Sequence, residues 1–268
     1  MSETQDVADL AERLAREAGA IQRERFETPF RISTKGTATN LVTEVDHQCE
    51  ALIVGTVERE RPSDAILAEE GGGHEDPDAE WCWIVDPLDG TTNYAHGYPR
   101  FCVSIGVECA GRREVGVIYD PLLDECYRAV RGGGAFLNGR RLQVSSENRL
   151  EHALAATGFA YDVHQSPDDN LANFGRMVKA TRAVRRDGSA ALDLCYVAAG
   201  RFDAFWEFKL HAWDVAAGLL LVEEAGGRCT DTAGAPPPRS GAETIASNGV
   251  LHDAILELLE RQRSPTPG

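Results

Sequence analysis

An apolar run, Trp81-Cys82-Trp83-Ile84-Val85, passes without a spacer into Asp86-Pro87-Leu88-Asp89-Gly90-Thr91-Thr92-Asn93, and this junction constrains the chain more than any other. A short run rich in β-branched and aromatic residues predicts a buried strand. The proline and glycine predict a sharp turn directly after it, which brings two carboxylates and a backbone carbonyl to one side. Thr91 and Thr92 then open a short helical turn whose free N–H groups and dipole favour an anion. A second apolar run, Ala65-Ile66-Leu67-Ala68, ends the same way in Glu69-Glu70. Two buried strands must therefore deliver charge to a sheet edge.

Helical spacing of Val7, Leu10, Leu14, Ala18 and Ile21 predicts an amphipathic helix over 7–26. Val45, Cys49, Leu52, Ile53 and Val57 predict a second over 43–59, ended by Pro62, with a polar loop over 33–40 between the two. Residues 101–144 read as a β-meander with strands over 101–108, 114–119 and 125–129. After it come a strand over 153–158, helices over 168–180 and 189–199, a strand over 203–207, and helices over 212–225 and 250–263. This pattern predicts an α+β or mixed α/β chain in two halves forming one catalytic unit. Residues 1–148 form an α+β half with most of the clustered carboxylates, and 149–268 an α/β half with Asp214.

With 268 residues, 43% of them hydrophobic, a substantial core is available. The net charge of -16 and the three lysines, Lys35, Lys179 and Lys209, argue against nucleic acid as a partner, because affinity for phosphate backbones rests on clustered positive charge. Either a high-salt cytosol, where an acidic surface stays soluble, or merely a GC-rich genome that prefers arginine codons accounts for this balance. The longest apolar stretch, 215–222, is far below the ~20 residues that span a bilayer, so no membrane partner is expected. The acidic N-terminus does not resemble a secretory leader, and seven cysteines without a C-x-x-C pair suit a reducing compartment. The expected location is the cytoplasm.

Asp46, Glu69-Glu70, Asp86 with Asp89, and Asp214 each stand at the boundary of an apolar element. Carboxylates so placed repel one another unless a hard cation joins them, and oxygen ligands select magnesium, calcium or manganese. Taken singly, Asp-Gly is an ordinary turn, Asp214 an ordinary helix N-cap, and Glu69-Glu70 a charged strand end.

The segments 40–46, Glu69-Glu70, 86–93, Gly188-Ser189-Ala190-Ala191 and 213–218 together resemble the inositol monophosphatase family, in its order and over nearly the whole chain. The resemblance implies a layered αβαβα sandwich of the sugar-phosphatase type, commonly a homodimer. It implies two to three Mg2+ per site, with Glu69, Asp86 and the Leu88 carbonyl on the first, and Asp86, Asp89 and Asp214 on the second. Glu69 also reaches a third, which carries the attacking water, and Thr91, paired with Asp46, orients that water. The phosphate and polyol would meet Asp89, Gly90, Thr91, Gly188, Ser189, Ala190, Glu207 and Asp214. Lys35 is similar to a loop lysine near the metals, Arg186 is a candidate phosphate or partner contact, and 161–173 borders the leaving-group pocket.

The implied reaction is lithium-sensitive hydrolysis of myo-inositol 1-phosphate, or a related sugar phosphate, by a metal-activated water. Thr92 stands where relatives acting on 3'-phosphoadenosine nucleotides or histidinol phosphate carry a charge, which favours the inositol substrate. Fructose-1,6-bisphosphatase and 3'-phosphoadenosine 5'-phosphate nucleotidase activities are the enzymatic alternatives. A noncatalytic or moonlighting interaction role is the alternative of another class, since some bacterial relatives bind transcription machinery.

Overall fold

The computed structural model describes residues 3–35, 39–74 and 76–259. The N-terminal part runs α1 (Glu3–Arg25), β1 (Ile32–Thr34), β2 (Leu41–Thr43), α2 (Glu44–Glu60), β3 (Ala65–Ala68), β4 (Trp81–Asp89) and α3 (Thr91–Ala95). The meander follows as β5 (Cys102–Cys109), β6 (Arg112–Asp120), β7 (Glu125–Val130), β8 (Gly134–Leu137) and β9 (Arg140–Arg141). A 3-10 turn over Leu150–His152 leads to β10 (Leu154–Thr157), α4 (Leu171–Ala180), β11 (Ala183–Arg185), α5 (Ala190–Ala198) and β12 (Ala204–Phe208). The described chain closes with α6 (Ala212–Glu224), β13 (Arg228–Thr230), β14 (Glu243–Ser247) and α7 (His252–Leu258).

The strands of 65–141 form one seven-stranded sheet in simple sequence order, β3 to β9. The later strands form a five-stranded sheet ordered β11-β10-β12-β14-β13. Helices α1 and α2 bury Val7, Leu14, Val45, Ile53 and Val57 against one face of the first sheet, with Trp83, Ile105 and Val117. The nearly uninterrupted apolar helices α5 and α6 lie between the two sheets, where Leu192, Leu194, Leu219 and Leu220 join Ile118, Tyr127, Phe205 and Ala246. The outer face of the second sheet is covered by α4 and α7 through Met177, Trp206 and Ile255. These apolar clusters, the middle one packed on both sheets, hold five layers together in the αβαβα sandwich that the resemblance implied. No helix among the described residues is long and apolar enough to cross a membrane.

Local chemistry accounts for the elements nearest the sheet edge. Thr43 caps α2 by accepting from Val45 N at 3.1 Å, while Asp46 accepts from Thr43 N at 2.9 Å, a reciprocal capping box. Strand β4 does not stop at Val85: it continues to Asp89, with its register against β5 broken between Asp86 and Asp89. Pro87 lacks the N–H that a ladder needs, so the strand bulges there. The Pro87 carbonyl accepts instead from Gln22 Nε2 of α1 at 2.7 Å.

Several elements depart from the sequence expectations. The polar loop of 33–40 is in part a hairpin, since Ser33 and Thr34 of β1 pair antiparallel with Val42 and Leu41 of β2; residues 36–38 lie outside the described residues. Strands β8, β9, β11, β13 and β14 went unforeseen, because runs of two to five residues carry too little periodicity to identify. The last helix, expected over 250–263, is α7 over His252–Leu258, and 260–263 lie outside the described residues.

Candidate active site

A cavity of ≈ 570 Å3 opens where the end of β4, the β1–β2 hairpin, residues 159–164, the end of β12 and the start of α6 meet. The bulge of β4 turns Asp86 and Asp89 toward it, and the first turn of α6 supplies Asp214. One carboxylate oxygen from each of the three lies within 4.8 Å of the others. Asp214 also accepts from His211 N at 2.7 Å through Oδ2, so it caps α6 as well as facing the cluster. Glu69, just past β3, lines the same cavity, and its Oε1 accepts from Lys35 Nζ at 2.9 Å. That ammonium also reaches Glu70 Oε1 at 2.5 Å. Behind them, buried Glu50 accepts from Glu70 N and Gly72 N at 2.7 and 2.8 Å, fixing the turn after β3.

The electrostatics of the cluster are strained by design of position. Burial, followed by the charges of Glu69, Asp89 and Asp214, holds the Asp86 carboxyl well above the usual carboxylate range. Burial and then Asp89 do the same to Asp214. Asp89 is pushed up to about 6 by burial, although hydrogen bonds from Ser189 and Ala191 pull it down. Burial lowers the Lys35 ammonium, but Glu69 and Glu70 outweigh it and leave Lys35 firmly charged. One lysine cannot neutralise four carboxylates. An all-oxygen set that is buried at Asp86 and Asp89, half-buried at Glu69 and Asp214, and mutually repelling suits a hard divalent cation, so these residues fit a metal site.

Beside the cluster, Asp46 is fully buried, and its Oδ1 accepts from Thr91 Oγ1 at 3.0 Å. Its Oδ2 accepts from Thr43 Oγ1 at 2.5 Å. Burial raises its carboxyl above the ordinary value, against the pull of Thr43 and Thr91. The Leu88 carbonyl, at 3.1 Å, is a second acceptor for the Thr91 hydroxyl. Gly90, the N-cap of α3, has φ of 95°, and a Cβ there would meet Arg100 O at 2.7 Å, so only glycine makes this turn.

Gly188, Ala190 and Glu207 line the cavity, and Ser189 does not. Ser189 is 1% exposed: its Oγ donates to Asp89 Oδ2 at 2.6 Å and accepts from Leu192 N at 3.3 Å as the cap of α5. Ala191 N donates to the same Asp89 oxygen at 2.8 Å, so the start of α5 orients a carboxylate of the other sheet. Glu207 is buried, which pushes its carboxyl up to about 8 in spite of Arg186. It lies against Gly158, where a Cβ would come within 2.1 Å of its carboxylate.

Sequence reasoning missed several supports. Asn93 Nδ2 donates to Arg100 O at 2.7 Å and to Asp187 O at 2.8 Å, tying the turn after β4 to the approach of α5. His211 and Trp213 stack at 4.9 Å on the cavity wall. The partners of Gln22 and Ser189 are 65 and 100 residues distant, and no local signal announces such pairs.

A five-layer sandwich whose cavity gathers carboxylates from the end of β4 and the start of α6 defines a class, the metal-dependent phosphatases of the sugar-phosphatase type. The profile of the "Inositol monophosphatase family" matches residues 3–264. The chain belongs to that family. It is 45% identical to the "Inositol-1-monophosphatase" of Synechocystis sp. over 228 residues, covering 85% of this chain and 79% of the relative. It is 44% identical to the "Nus factor SuhB" of Pseudomonas aeruginosa over 98% of both chains. The solved inositol monophosphatase of Anabaena (Nostoc) sp. superposes with a TM-score of 0.88 at 42% identity, over 96% of both chains.

Proposed function

We propose that this protein is a magnesium-dependent phosphomonoesterase that hydrolyses myo-inositol 1-phosphate to inositol and inorganic phosphate. The observation that carries the reading is the convergence of Asp86, Asp89 and Asp214 within 4.8 Å beside the Thr91–Asp46 pair. Glu69, Asp86, Asp89, Asp214 and the Leu88 carbonyl are the groups that would hold two to three Mg2+. Bound there, the ions supply the positive charge that seats a phosphate in an acidic cavity and lowers the pKa of a coordinated water.

The chain's own residues do the rest. Thr91 donates to Asp46 Oδ1 and so presents its oxygen lone pairs to a water in the cavity, which aligns that water for in-line attack. Asp46, its affinity for a proton raised by burial, is suited to take up positive charge relayed through Thr91. The backbone at Gly90 and Thr91 seats the phosphate, and Glu207 with the backbone of Gly188 and Ala190 meets the polyol hydroxyls. In this reading Ser189 acts on Asp89 and not on substrate. The functional unit is a homodimer of the cytoplasm.

A phosphate-release panel with Mg2+ tests the reading. Inositol 1-phosphate is expected to outpace fructose 1,6-bisphosphate and 3'-phosphoadenosine 5'-phosphate, with lithium inhibiting. Asp89→Asn and Glu69→Gln are each expected to lower turnover about a hundredfold or more. Unchanged turnover in both variants refutes the site, and faster release from another ester reassigns the substrate. The likeness to a Nus factor supports a second, noncatalytic role, and capture of partners from native cytosol by the intact enzyme tests it.

A further inference from the structure

One wall of the cavity is a loop whose chemistry the reading above leaves unused. Phe159, Ala160, Tyr161, Val163 and His164 all line the cavity. The loop is pinned from both sides. Thr39 Oγ1, beyond β1, donates to Tyr161 O at 3.0 Å. From the end of β12, Lys209 Nζ holds Asp162 at 2.9 and 3.1 Å and Ser166 Oγ at 2.8 Å. Lys209 stands two residues after Glu207, has φ of 61°, and is anchored by its own N–H to Ala242 O at 2.7 Å. The strand end that offers Glu207 to the cavity therefore also latches this loop across it.

Between these pins Tyr161 is 50% exposed and lines the cavity. Among the described residues its hydroxyl has no hydrogen-bond partner. Tyr161 lines the same cavity as Glu69, Asp86, Asp89 and Asp214, and desolvation, followed by the charges of these four, raises its phenol above the usual range. A half-exposed aromatic residue in the cavity wall, on a loop held by two anchors and with its hydroxyl unpaired among the described residues, is placed to meet a substrate.

Resting on the phosphatase reading, we propose that Tyr161 is a catalytic residue whose hydroxyl donates a hydrogen bond to the ester oxygen departing with the alcohol, and that the Lys209–Asp162 pair is its positioning latch. In the reaction a water oxygen bonds to phosphorus, and the ester P–O bond breaks with its electron pair on the alcohol oxygen. One proton of that water ends on the alcohol. Tyr161 keeps its own proton throughout and only stabilises the charge that gathers on the departing oxygen. That charge is large for an alkyl ester and small for a nitrophenyl ester, whose ring delocalises it.

Leaving-group dependence therefore isolates the role. With the full chain and Mg2+, Tyr161→Phe is expected to lower kcat on inositol 1-phosphate about tenfold, the loss of one hydrogen bond to a charged oxygen, with KM within about twofold. On p-nitrophenyl phosphate the same variant is expected to stay within about twofold of the wild type. Asp162→Asn, at an exposed side chain, is expected to show a weaker loss of the same selectivity and no further loss in the Tyr161→Phe background. Equal losses on both esters, or none on either, overturn the role of Tyr161, and additive losses in the double variant overturn the latch. A wild type inert toward both esters overturns the phosphatase reading together with this one.

Discussion

Asp89 divides its carboxylate between two neighbours. Its Oδ2 accepts from Ser189 Oγ and Ala191 N at 2.6 and 2.8 Å, while the group as a whole faces Asp86 and Asp214. Asp214 is divided in the same manner between the cap of α6 and the cluster. An N-cap explanation and a ligand explanation of such an aspartate are therefore not rivals. A cap fixes the rotamer that a ligand needs. Glu207 shows what burial adds at this scale. Burial pushes its carboxyl up to about 8, and a proton there turns one of its two acceptor oxygens into a donor, which weakens its hold on polyol hydroxyls that donate to it. KM for inositol 1-phosphate should accordingly fall as pH rises from 6.5 to 9. Glu207→Gln should raise KM about tenfold and flatten that dependence, which initial-rate measurements across this range will show.

Among the elements, α6 decides most. It lies on the first sheet so closely that a Cβ at Gly116 would meet Ala217 O at 2.6 Å, and one at Gly106 would meet the Ala216 Cβ at 2.7 Å. These close approaches set the height of the helix above the sheet and hence the position of Asp214 beside Asp86 and Asp89. Gly116→Ala is expected to lose about 1–3 kcal/mol of stability by overpacking, read from urea unfolding, and to weaken Mg2+ activation as the helix is lifted. The bulge of β4 is the second deciding element. Its cause was legible in Asp86-Pro87-Leu88-Asp89, since proline breaks a ladder, but its direction was not, because Gln22 of α1 fixes it from the far side of the sheet. Long helices declared themselves through periodicity. The short strands β11 and β14 form only because β10 and β12 offer edges to pair with, and β13 because β14 in turn offers one.

At the scale of the whole molecule, an acidic protein of net charge -16 concentrates further negative charge in a buried cavity. Asp86, Asp89 and Asp214 bind protons more tightly folded than unfolded. The stability they contribute is fully present below the ordinary carboxylate pKa and is lost as pH rises through the raised values, about 6 for Asp89, with Asp86 and Asp214 also raised well above the ordinary value. Metal and proton compete for the same oxygens. Saturating Mg2+ should stabilise the fold by about 2–4 kcal/mol at a hundred- to thousandfold excess over Kd. The difference in Tm between Mg2+-loaded and chelated protein should widen from pH 5 to pH 8, and a difference that narrows would show that these carboxylates do not hold the ion.

The sequence by itself determined the chemistry. Oxygen ligands at Glu69, Asp86, Asp89 and Asp214, the Thr91 hydroxyl and the glycine turn at Gly90 are matters of residue type and local spacing, and their family-like order named the αβαβα arrangement. Only the tertiary structure decided how those groups are held. The orientation of Asp89 comes from Ser189 across the two sheets, Asp214 is set by two glycines beneath α6, and the Tyr161 loop is fastened by Thr39 and Lys209 from opposite sides of the cavity. The physical reason is range. Turns, caps and amphipathic faces are set by neighbours a few residues apart, while an acidic cavity depends on donors that only the packing of distant layers brings within 3 Å.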